Sequence, residues 1–126
     1  MKREMMGAKI HGAHVTHVNL HYEGSCAIDQ NLLDAAGILP YERVHIYNVT
    51  TGVRLDTYAI PAKRGSGSIG MNGATARLEH IEDIVIIVTY VQFEDEEIAS
   101  HRPTVVVVDE HNRPVKTLHH TIRSKS

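Results

Sequence analysis

Cysteine is nearly absent. Cys26 is the single one in 126 residues, so no internal disulfide can form and a disulfide-stapled scaffold is excluded. A reducing compartment fits this usage, and a cytoplasmic location is expected. Long apolar runs are missing too: the longest, Ile84 to Val88 extended through Tyr90 and Val91, falls far short of the ~20 residues that span a bilayer and reads as a buried strand. The opening residues, Met1 to Gly7, lack the apolar stretch of roughly 7 to 15 residues of a secretory signal. Charge of one sign is not in excess either. A net charge of -2 with both signs interspersed leaves no basic field for nucleic acid or an anionic membrane, while small polar substrates remain open. No repeat of fixed period emerges, and residues 1–126 read as a single domain whose tail from about 116 is poorly specified.

What is present is a succession of short runs rich in β-branched and aromatic residues, bounded by Gly, Asn, Asp and Pro, which predicts a mainly β fold with short helices. Val18 to Tyr22 alternates, placing Val18, Leu20 and Tyr22 on one face. Asp29 is suited to N-cap a helix through Leu32, Leu33, Ala35 and Ala36 that Gly37 ends in a left-handed conformation. Strands Arg43 to Val49 and Val53 to Ile60 flank the turn signal Thr51-Gly52 and should form a hairpin, with Arg54, Asp56 and Tyr58 on one face. Lys63 to Ser68 reads as a flexible loop, and Asn72-Gly73 opens a short helical turn. Asp83 to Phe93 is a long central strand, the acidic Glu94 to Glu97 begins a helix that Pro103 stops, and Val105 to Val108 is a last buried strand.

Several conspicuous patterns carry no chemistry on inspection. His11, His14, His17 and His21 would converge on a metal only from a helix, which Gly12, Val15, Thr16 and Val18 disfavour; exposed or hydrogen-bonded histidines are expected, and no metal. Cys26 is expected as a small buried hydrophobe, since nothing nearby supplies a base. The Gly65-Ser66-Gly67-Ser68 loop lacks the Gly-Lys-Ser/Thr sequel of a phosphate cradle, and Glu94 to Glu97 lacks the alternating oxygen ligands of a calcium loop.

Gly24-Ser25 alone says only "turn". Its neighbours add more. Lys9 and His11, Val15-Thr16-His17, Leu20 through Asp29, Leu33 through Ile38, Asn48-Val49-Thr50, Gly52, Arg54, Thr57 through Ile60, Arg64-Gly65-Ser66, Asn72-Gly73-Ala74 and Asp83 through Ile86 stand in an order and spacing that resemble the aspartate 1-decarboxylase family of pyruvoyl-dependent enzymes. The resemblance covers about residues 3 to 103, as expected of one domain with a divergent end. It departs from the family pattern at Tyr47, where tryptophan is frequent, at Asp56 and Thr75, where smaller residues are usual, and at Glu82, where glycine is usual.

The resemblance implies a double-psi β-barrel, a homotetramer with active sites between subunits, and decarboxylation of L-aspartate to β-alanine for pantothenate biosynthesis. It further implies that the chain cuts itself between Gly24 and Ser25 into residues 1–24 and 25–126, Ser25 becoming a covalent pyruvoyl cofactor that forms a Schiff base with substrate. Thr57 then supports the oxyanion during cleavage and contacts substrate, Arg54 and Lys9 meet the substrate carboxylates, and Tyr58 is the proton donor. Asn72, Gly73 and Ala74 hydrogen-bond around the pyruvoyl group and substrate. Whether cleavage is spontaneous or uses an accessory maturation factor stays open, as do a decarboxylase of another amino acid and a β-barrel binding module.

Overall fold

The computed structural model describes residues 1–122. In chain order the elements are β1 (Lys2–His14), β2 (His17–Asn19), β3 (Ser25–Asp29), α1 (Gln30–Ala36), β4 (Arg43–Asn48), β5 (Arg54–Ala62), β6 (Ile69–Asn72), a 3-10 turn (Gly73–Arg77), β7 (Ile84–Glu94), α2 (Asp95–Ile98), β8 (Thr104–Val108) and β9 (Pro114–His119). The strands hydrogen-bond in the order β2-β6-β3-β5-β4-β7-β1-β8-β9. The fold is mainly β, with parallel pairs β1/β8, β2/β6 and β3/β5 among antiparallel ones.

Local sequence explains most elements. The Asp29 carboxylate accepts from the Asn31 N–H at 2.8 Å and caps α1, and Gly37 closes it at φ 73, a conformation that costs glycine nothing. The same carboxylate accepts from the Gly65 and Gly67 N–H groups at 3.0 and 2.8 Å. Residues Lys63 to Ser68, expected to be a flexible loop, are therefore pinned to the start of α1. Asn112 secures the loop from the other side, donating to the carbonyls of Gly67 and His14 at 2.8 and 2.9 Å. Burial pushes the Asp29 carboxyl up, but the N–H donations from Gly67, Asn31 and Gly65 and the Arg113 charge outweigh it and hold it below the usual carboxylate range.

The core is filled by Ile10, Ile28, Leu32, Ile46, Met71 and Ile87, all at 0% exposure, each contributing about 2 kcal/mol by leaving water. β1 runs for 13 residues beside β7, with register shifts at Met6/Ala8 and His11/Ala13. Two expectations fail. The strand over Val18 to Tyr22 shrinks to the three exposed residues of β2, because the chain must turn at Leu20 to Tyr22 to bring Gly24 back beside β6. The ill-defined tail from about 116 instead contributes to β9, which pairs with β8 along Pro114–His119; residues 123–126 of that tail lie outside the described residues.

Candidate active site

Ser25 begins β3, opposite Asn72 of β6, and is 2% exposed. Its hydroxyl donates to the Glu23 carbonyl at 3.3 Å and receives the Asn72 side-chain amide at 3.2 Å. Gly24 lies against the 3-10 turn so closely that a Cβ on Gly73 would stand 2.6 Å from the Gly24 Cα and N. Gly73 also has φ 65, so glycine is required there twice over, by conformation and by space. Thr75 Oγ1 donates to the Asn72 carbonyl at 2.7 Å and fixes this turn, while Ala74 stands exposed on it. Beside Ser25 opens a cavity of about 430 Å³ lined by His21, Tyr22, Glu23, Tyr41, Tyr58 and Ile60. Tyr58 reaches it because β3 and β5 run parallel from Cys26 and Ala59 onward, and Tyr41 stacks on its ring at 5.9 Å.

The two cations sit elsewhere. Strand register aligns Lys9, Val88, His45 and Asp56 in one row across β1, β7, β4 and β5, and His11, Ile86, Tyr47 and Arg54 in the next. Alternation along each strand therefore gives Lys9 and Arg54 the same outer sheet face. The Arg54 guanidinium carbon lies 3.9 Å from the Tyr47 ring centroid, in a separate cavity of about 200 Å³ with His45, Leu55 and Asp56. Neither Lys9 nor Arg54 lines the Ser25 cavity. Thr57, half-buried opposite Val44, occupies the other pleat of β5 from Tyr58 and does not line it either.

The whole chain, both groups included, is similar to known proteins. The aspartate decarboxylase family model matches residues 1–115. The chain is 55% identical over 113 residues to an aspartate 1-decarboxylase of Bordetella avium, covering 90% of this chain and 93% of the relative. It is 55% identical over 119 residues to that of Methylococcus capsulatus, covering 94% of each, and 52% identical over 115 residues to that of Thermoanaerobacter pseudethanolicus, covering 91% and 98%. The chain belongs to the aspartate decarboxylase family. Membership carries the double-psi β-barrel, with which the observed strand order is compatible.

Each departure from the aspartate decarboxylase pattern has a structural counterpart. Tyr47 is the ring under Arg54, and Asp56 pairs with Arg43 at 2.8 Å. Thr75 supplies the hydroxyl that ties the Asn72 carbonyl. Glu82 adopts φ 75, a conformation that suits glycine and costs a side chain about 1 kcal/mol.

Cys26 is fully buried and its thiol is pushed up to about 12, by burial first and by the Glu79 charge second, as expected of an unreactive core residue. The four histidines of the 11–21 segment fall on β1, β2 and the following turn rather than on one helix. Among the described residues no group of three His, Cys, Asp or Glu side chains is placed to hold a metal ion. A further cavity of about 420 Å³, lined by His14, Glu82, Glu110, His111 and Arg113 among others, contains none of the residues at Ser25.

Two features of this aspartate decarboxylase family member escaped the sequence. Tyr41, at φ 69 in the loop before β4, joins the Ser25 cavity by stacking on Tyr58, and no periodicity marks a loop residue for that role. Glu79, 1% exposed, lies near enough to Cys26 for its charge to raise the thiol and accepts from the Asn48 amide, which also donates to Asp83 at 2.8 Å. Burial raises the Glu79 carboxyl above the usual range, the Asn48 bond opposes this, and the Asp83 charge adds to it.

Proposed function

We propose that the chain splits itself between Gly24 and Ser25 and that the product decarboxylates L-aspartate to β-alanine and carbon dioxide. The observation that carries this reading is the junction itself: a buried serine hydroxyl beside an amide donor, next to a glycine packed against the Gly73 turn, on the wall of a cavity containing a tyrosine phenol. Family membership and relatives named aspartate 1-decarboxylase support it.

In the cleavage, Ser25 Oγ attacks the Gly24 carbonyl carbon, the Gly24–Ser25 amide bond breaks, and the hydroxyl proton passes to the departing nitrogen, leaving an ester. Tethering makes the attack intramolecular, so the fold must only hold a near-attack geometry and stabilise the oxyanion, the role proposed for Thr57. Loss of the Ser25 α-proton then breaks the Cβ–O bond and frees Gly24 as a carboxylate. Water replaces the nitrogen, which leaves as ammonia.

The residues present fit the resulting pyruvoyl group. The Asn72 amide is within reach of the side chain at position 25, and the adjoining cavity has room for a four-carbon acid. When formed, that group supplies the electron sink for the pair released with carbon dioxide. Tyr58, on the cavity wall, donates the proton that the substrate carbon then takes up. Gly73 and Ala74, in the turn against Gly24, present backbone donors on that side.

Arg54 suits a substrate carboxylate because a guanidinium offers a planar fork of donors, and Lys9 adds a second positive charge. Both stand on the outer sheet face, away from Ser25. A second copy must therefore bring that face to the cavity, and the homotetramer with sites between subunits meets this need. The enzyme acts in the cytoplasm, in the supply of β-alanine for pantothenate.

Intact-mass analysis tests the reading. Two chains, residues 1–24 and 25–126, are expected, the second lighter by one ammonia than hydrolysis would leave and reducible onto aspartate by borohydride. Native mass spectrometry should show a homotetramer. Ser25→Ala must remain one chain and form no β-alanine; a cleaved Ser25→Ala chain sinks the mechanism.

A further inference from the structure

Arg54 is exposed at the start of β5, and a long cationic side chain in that setting samples many rotamers unless something holds it. Its acidic neighbour on the same face, Asp56, is engaged by Arg43 at 2.8 Å, and none of the ion pairs among the described residues includes Arg54. What does touch the guanidinium is the Tyr47 ring, at 3.9 Å. The Tyr47 hydroxyl in turn meets the Tyr90 hydroxyl at 2.7 Å. Tyr90 comes from β7, in the row beyond His45, and its ring stands edge-on to the His45 ring at 5.1 Å and 80°. The two phenols thus arch over His45 and join β4 to β7.

We propose that Tyr90 is a positioning residue for substrate binding: its hydroxyl holds the Tyr47 ring beneath Arg54 and so fixes the direction in which Arg54 presents its donors to a carboxylate. The inference rests on the reading of Arg54 as the carboxylate-binding residue. A half-buried tyrosine ring such as that of Tyr47 can still turn about its first two side-chain bonds; anchoring its far end to a second strand narrows that freedom. A guanidinium stacked on a fixed face keeps its N–H edges outward and loses less freedom when a carboxylate arrives. The hydrogen bond to Tyr47, and then burial, hold the Tyr90 phenol above its usual range.

Steady-state kinetics of the self-cleaved, full-length enzyme with L-aspartate provide the test. Tyr90→Phe removes one oxygen and leaves the ring. It should raise KM about three- to ten-fold, from the lost anchor and weakened stacking, with kcat within about two-fold and the cleaved fraction unchanged. In an Arg54→Ala background the same change should add nothing to KM, because its effect passes through Arg54. Tyr47→Trp should recover most of the KM of Tyr90→Phe, since an indole holds a cation strongly without a hydroxyl partner. An unchanged KM in Tyr90→Phe, or an undiminished rise in the Arg54→Ala background, overturns the inference. If Arg54→Ala raises KM and Tyr90→Phe does not, only the role of Tyr90 falls. If Arg54→Ala itself leaves KM unaltered, the reading of Arg54 falls and this role with it.

Discussion

Around Gly24 and Ser25 the backbone carries the geometry: Gly73 closes against Gly24, Ser25 pairs with Asn72, and Ser25 Oγ donates to a main-chain carbonyl. On the outer face of β1, β7, β4 and β5 the side chains carry it, through the Arg54–Tyr47–Tyr90 contacts and the Arg43–Asp56 pair. The difference follows from what each region must do. The proposed cleavage needs the Ser25 hydroxyl oxygen and the neighbouring Gly24 carbonyl carbon held at near-attack distance, and one chain can supply both. A substrate carboxylate needs aimed charge, and the face that offers it lies apart from the reacting residue. Cleavage is therefore expected to respond to backbone changes near residue 24, and substrate affinity to side-chain changes on the outer face that carries Arg54.

The largest expected effect tests the first half of that contrast. Gly73→Ala places a methyl 2.6 Å from the Gly24 backbone at a positive φ, so the scissile bond must shift. Self-cleavage, followed by intact mass, should slow by about a hundred-fold or more. Cleavage at the parent rate would mean that the turn does not set the geometry. Next, Tyr58→Phe keeps the ring that stacks on Tyr41 and removes only the phenol. Its cleavage should proceed normally while kcat falls by about 10² to 10³. Equal losses in both reactions would erase the distinction between the two chemistries.

The smallest effect lies at the buried Glu79, in neither region. The Glu79 carboxyl has its folded-state value raised, chiefly by burial, so its contribution to stability is present below the unfolded value of about 4.3 and is lost as pH rises through the folded one. Glu79→Gln carries no proton to lose. The melting temperature of this variant relative to the parent should therefore climb as pH rises above about 4.3, with cleavage and KM unmoved. A difference that stays constant as pH rises would show that Glu79 does not titrate as its surroundings dictate.

Much of this was legible from residue order. The capped helix from Asp29 to Gly37, the hairpin around Thr51-Gly52 and the acidic helix start at Glu94 to Glu97 depend on contacts within a few residues, and these and the long apolar strand after Asp83 appear as expected. Elements set by distant partners were not. β2 is shortened by the need to return to β6, β9 exists because β8 offers an edge, and the Lys63 to Ser68 loop is pinned by Asp29 and Asn112, 34 or more residues away in sequence for Asp29 and 44 or more for Asn112.

The candidate site divides the same way. By itself the sequence determined that Gly24-Ser25 stands among residues arranged as in the aspartate decarboxylase family, because motif spacing survives without any knowledge of contacts. It also determined that Arg54, Asp56 and Tyr58 share a strand face, since the pleat has a period of two. Only the tertiary structure decided that Tyr58 ends beside Ser25 while Arg54 and Lys9 do not, because that depends on where β5 leaves β3 and joins β4. Only it brought Tyr90 to Tyr47, 43 residues apart, since two hydroxyls meet through the register of β4 on β7 and leave no mark on the sequence between them.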